Sequence, residues 1–108
     1  MNDNANCHEV RRVMDQVFEK LRPDASYFRQ VATTAEHRQA THVQFGQLGG
    51  GGDEAYPNYR LRGPRGTLDM RGRNHEPYGS GVPFEVGNLS EEFTIERVRQ
   101  FEQCANVR

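Results

Sequence analysis

Residues 58–73 read NYRLRGPRGTLDMRGR, and this stretch decides the fold class. Gly63-Pro64-Arg65-Gly66 is a turn: Pro64 presets φ at the second position, and glycine tolerates backbone angles that other residues avoid. Folding the chain about this turn sets Leu61 opposite Leu68 and Tyr59 opposite Met70 on one face of a β-hairpin. Arg60, Arg62, Asp69, Arg71 and Arg73 then alternate onto the other face. The sequence therefore predicts an antiparallel sheet with one apolar and one basic face.

Helical patterning lies upstream. Asn6 to Glu9 has the form of a capping box. After it, Val10, Val13, Met14, Val17, Phe18 and Leu21 fall at helical spacing, Arg11 and Asp15 form an i,i+4 pair, and Pro23 stops the helix. Tyr27–Thr34 is rich in β-branched and aromatic residues and reads as a strand. Gln39–Leu48 alternates around Val43 and Phe45 and reads as its partner, the turn at 35–38 setting Phe28 against Phe45. Gly49–Gly52 with Asp53 and Glu54 reads as a polar loop, and Asn74–Gly81 as an irregular one. Val82, Phe84 and Val86 share a face of a fifth strand, at a sheet edge because of Pro83. Val98, Phe101 and Ala105 share a face of a C-terminal helix that begins at Ser90 or Thr94.

The expectation is a single α+β domain over residues 1–108, an antiparallel sheet of about five strands flanked by an N-terminal and a C-terminal helix. Its core is thin. Leu, Ile, Val and Phe supply 21 of 108 residues, close to the ~20% level below which chains of high net charge stay unfolded. The net charge of −1 and the regular apolar spacing favour folding, and a small core points to a homodimer. Cys7 and Cys104 are expected as free thiols of a cytoplasmic protein, close in space if the terminal helices pack together. The opening MNDNANCHEVRR has no apolar segment of the signal-peptide type, and no apolar run suits a membrane span.

Basic residues are 13 Arg against one Lys, a bias consistent with a GC-rich bacterial or phage coding sequence. Residues 55–81 carry net +3, flanked by segments of net −2 on either side. A basic middle in an acidic frame steers an anionic partner, but a pI of about 6.4 is far from the ~9 of a dedicated nucleic-acid binder. Arg suits carboxylate and phosphate through its planar fork of donors. Arg60, Arg62, Arg65, Arg71 and Arg73 are therefore the candidate partner-binding residues, with a protein partner favoured over nucleic acid. The order of helix, strands and helix is similar to that of double-stranded-RNA-binding domains, but Ser90-Glu91-Glu92 would repel phosphate at the second helix start.

Partner binding competes with a solvated sheet face in which Arg60 pairs with Asp69, and with two alternative functions. One is a small-molecule pocket using His42, His75, Glu76 or Tyr78; the other is a nucleic-acid module. The four-glycine run lacks the Lys-Ser or Lys-Thr of a phosphate loop and is followed by acids. His37 and His42 fall on opposite faces if both are on strands, and an adjacent Cys7-His8 pair does not close a tetrahedral site. No metal or cofactor is expected, and the sequence carries no catalytic motif.

Overall fold

The computed structural model describes residues 6–19, 21–46, 56–78 and 89–107. It is an α+β fold of three helices and one five-stranded antiparallel sheet. In chain order the elements are α1 (Cys7–Phe18), α2 (Ala25–His37), β1 (His42–Phe45), β2 (Tyr59–Gly63), β3 (Gly66–Arg71), β4 (Glu76–Pro77), β5 (Phe93–Thr94) and α3 (Ile95–Cys104). Strand order across the sheet is β4-β3-β2-β1-β5.

The hairpin has the expected register: Tyr59 opposes Met70, Arg60 opposes Asp69, Leu61 opposes Leu68, and Gly63 opposes Gly66. Gly66 closes the turn at φ +106°, a conformation that only glycine adopts at no steric cost. β3 ends where Gly72 passes the preceding chain. A Cβ on Gly72 would lie 2.0 Å from the Tyr56 carbonyl oxygen, and its N–H donates to Asn58 Oδ1 at 2.9 Å. Residues 72–75 then turn, and Glu76–Pro77 returns beside β3 as β4. A short strand thus stands in part of the stretch expected as an irregular loop.

The largest correction concerns Tyr27–Thr34. It is not a strand but the body of α2, which buries Tyr27, Phe28, Val31, Ala32 and Ala35. Those positions follow helical spacing, whereas a strand would have grouped Arg29 and Thr33 with Tyr27 and Val31. Asp24 caps the helix, its side chain accepting the Tyr27 N–H at 2.9 Å. Phe28 does meet Phe45, ring centroids 6.2 Å apart, but as helix against sheet.

α1 begins as expected, with Asn6 Oδ1 accepting from the N–H groups of His8 and Glu9. It stops at Phe18, where Glu19 takes φ +49°, four residues before Pro23. Thr94 caps α3 by accepting the Arg97 N–H at 3.1 Å. Ser90 instead extends the sheet: its N–H donates to the Phe45 carbonyl and its hydroxyl accepts the Phe45 N–H.

All three helices bury their apolar residues in one cluster with Val43, Phe45, Tyr59, Leu61, Met70 and Phe93 of the sheet. Phe18 sits among Phe28, Phe45 and Phe101, with ring centroids 5.0 to 6.1 Å away. α2 and α3 are further tied by Arg29–Glu102, Arg99–Glu36 and Arg99–Glu102 ion pairs.

Cys7 and Cys104 are not free thiols. They form a disulfide between the first residue of α1 and the last of α3, with Cα atoms 5.2 Å apart. The pairing follows from helix packing, which also lets Arg11 donate to the Ala105 carbonyl at 3.2 Å. Among the described residues, no helix is long and apolar enough to cross a membrane. The strand expected at 82–86 and the loop at 49–54 lie outside the described residues.

Candidate interaction face

Alternation along the strands sends Val43, Phe45, Leu61, Leu68 and Met70 to the helices, and His42, Gln44, Arg60, Arg62, Thr67, Asp69 and Arg71 to the opposite, outer face. No described helix packs on that outer face. Cross-strand register brings Gln44, Arg60 and Asp69 into one row and His42, Arg62 and Thr67 into the next.

The arginines of these rows are held by carboxylates. Arg60 Nε donates to Asp69 Oδ1 at 2.7 Å and its Nη2 to Oδ2 at 3.2 Å, with each side chain only about a quarter exposed. Arg62 makes the same two-point contact with Glu92, at 2.6 and 3.0 Å. Its Nη2 also lies 3.1 Å from His42 Nδ1, which approaches Thr41 Oγ1 at 2.8 Å. Hydrogen bonding from Arg62, with the charges of Arg62 and His42, holds the Glu92 carboxyl below its ordinary range. Arg71 opposes Glu76 of β4 and lays its guanidinium over the Tyr78 ring, 5.5 Å from the centroid. Arg60 and Arg62 are thus paired with Asp69 and Glu92, so the face is patterned rather than basic, whereas Arg71 makes no ion pair among the described residues and its buried Nε has no hydrogen-bond partner.

The five candidate arginines are not one row. Arg65 occupies the hairpin tip, exposed, between Pro64 and Gly66. Arg73 lies in the 72–75 turn, because Gly72 takes the chain out of the sheet before it.

The alternative ligand residues are dispersed as well. His42 belongs to the outer-face cluster with Arg62 and Glu92, and Tyr78 stacks on Arg71. Glu76 is exposed on β4. His75 instead turns under the sheet end, at φ +55°. Its ring lies 5.4 Å from Tyr27 and 6.0 Å from Tyr59, with Nδ1 3.1 Å from the Tyr59 hydroxyl. Burial lowers the His75 pKa from 6.5, which favours the neutral ring, whose Nδ1 shares a hydrogen bond with the Tyr59 hydroxyl. Burial also pushes both tyrosines well above their ordinary value of 10, so both stay neutral, and Tyr27 donates to the Pro57 carbonyl. That makes His75 a packing group joined to the core edge.

Sequence reasoning missed two constellations, Arg62–Glu92–His42 and Tyr27–Tyr59–His75. The first joins residues 30 positions apart and carried no local signal. The second was partly legible, since Tyr59 was placed inward by alternation. Among the described residues, no three His, Cys, Asp or Glu side chains gather as a metal site. Comparison with protein-family models, curated proteins and solved structures finds no match.

Proposed function

We propose that this chain is a small non-enzymatic interaction protein that docks a protein partner on the outer face of its sheet. The observation that supports this is the two-point fixing of Arg60 on Asp69 and Arg62 on Glu92. Long side chains held in place lose less rotamer freedom on binding, so a partner meets an already ordered pattern of charge. Two arginines of this face already engaged by carboxylates favour a protein surface of complementary pattern over a phosphate polymer, which rewards unopposed positive charge. The Cys7–Cys104 disulfide supports an oxidising compartment as the setting, in place of the cytoplasm expected from the cysteine count.

The test compares wild type with an Arg60→Ala, Arg62→Ala, Arg71→Ala variant, both shown to be folded by thermal melts. Each is immobilised and used to capture protein from an extract of the source organism, with and without nuclease. Wild type should retain a protein that the variant loses in both arms. Equal retention by the variant refutes the assignment of the face, and loss on nuclease treatment alone transfers it to a nucleic acid.

A further inference from the structure

The arginines of this chain divide by what they touch. Arg11, Arg29, Arg60, Arg62 and Arg99 each reach a carboxylate within 3.3 Å. Arg38 and Arg65 have no such partner among the described residues, yet they line the same groove. It has a volume of about 300 Å³ and lies between the end of α2 and the hairpin tip. Leu61, Leu68 and Ala40 supply an apolar wall, Thr67 a hydroxyl, and no described acidic side chain contributes to the lining. The groove is fixed in shape by close backbone contact. A Cβ on Gly63 would lie 2.7 Å from the Gln39 carbonyl oxygen, and Thr41 N–H donates to the Arg62 carbonyl at 2.8 Å.

We infer that this groove binds a small phosphate monoester with an apolar body. Two guanidinium forks match the roughly −1.5 to −2 charge of such a group at neutral pH, and each offers paired donors to its oxygens. The volume sits at the lower end of the ~300–1,000 Å³ range of small-molecule sites. It therefore suits a compact ligand whose aryl or alkyl group lies on Leu61 and Leu68. The inference is independent of the outer-face reading, because Arg38 belongs to the end of α2 and Arg65 to the hairpin tip.

Phenyl phosphate is the probe, titrated into the full chain and followed by amide chemical shifts, with benzyl alcohol and inorganic phosphate in parallel. Saturable shifts should appear at the amides of 38–41, 63 and 65–68. Arg38→Ala and Arg65→Ala should each weaken binding about tenfold or more, as expected for loss of a charge-assisted contact. Arg97→Ala on α3 should leave it unchanged. Both groove arginines are exposed, so the variants should melt as wild type does; Arg38→Gln and Arg65→Gln provide the same readout if an Ala variant does not fold. Three outcomes overturn the inference: no saturable shift, equal affinity in the groove variants, or benzyl alcohol binding as well as phenyl phosphate.

Discussion

Reducing Cys7–Cys104 should cost this domain a large share of its stability. The bond joins residues 97 positions apart, so in the unfolded chain it closes a loop that is nearly the whole molecule. On the chain-entropy relation, a loop of roughly 100 residues removes about 4.7 kcal/mol of unfolded-state freedom at 25 °C. Single domains are stable by only about 5–15 kcal/mol, and 21 of 108 residues drawn from Leu, Ile, Val and Phe place this one toward the lower end. Urea melts of the oxidised protein, the dithiothreitol-reduced protein and a Cys7→Ala, Cys104→Ala variant should separate by several kcal/mol. The reduced and doubly substituted forms should agree with each other. Thermal melts should show a fall of about 15 °C or more, taking roughly 4 °C per kcal/mol for a domain of this size. Alkylation with mass spectrometry checks that no thiol is free in the non-reduced sample. A difference below about 1 kcal/mol would show that the unfolded chain gains nothing from being opened, and would refute the reasoning.

Phe18→Ala should destabilise by about 3–5 kcal/mol, because the ring is 3% exposed and wedged among three other aromatic rings; a urea melt checks this. Stability should fall as pH drops below 6.5, because the unfolded chain protonates His75 before the folded one does. It should level off below the lowered folded pKa, and His75→Gln should flatten that window in pH-dependent melts while leaving a separate loss from Glu92 below 4.5. The thin core also predicts self-association, read by light scattering as a mass near twice 12.4 kDa; a monomer with a high melting temperature in the oxidised state would leave the disulfide as the sole staple.

How far the sequence could be read depended on how local the determining contacts are. The hairpin was legible to single-residue register because its turn chemistry and its alternation agree, and both lie within 16 residues. α1 was legible because cap and stripe coincide, although its end was not, since Glu19 breaks it at a positive φ before Pro23 is reached. α2 was misread because β-branched and aromatic residues fit either state and tertiary burial chose between them. Three of the five strands, β1 to β3, fall where expected, while β4 and β5 are two-residue strands whose pairing comes from neighbours in space. The disulfide was geometrically foreseeable from packed terminal helices, but cysteine count alone favours thiols. Of the site, the outward direction of Arg60, Arg62 and Arg71 was readable. The carboxylate that holds Arg62 was not, because β5 reaches it only through the fold.

Carboxylate pairing sets what each arginine can contribute. An arginine already bound on two points gives a partner fixed position and direction, at little gain in net attraction, since exposed pairs are worth only about 0–1 kcal/mol. An arginine without a carboxylate gives attraction, and pays for it with ordering on binding. Arg60 and Arg62 are of the first kind and Arg38 and Arg65 of the second. Ionic strength separates them: binding at the groove should weaken with added salt, as contacts of unopposed charge do. Binding through Arg60 and Arg62 should respond far less, because their charges are already paired within the protein. The proposed partner at the face and the proposed phosphate at the tip therefore belong to different salt regimes, so a salt titration of each binding event separates the two proposals.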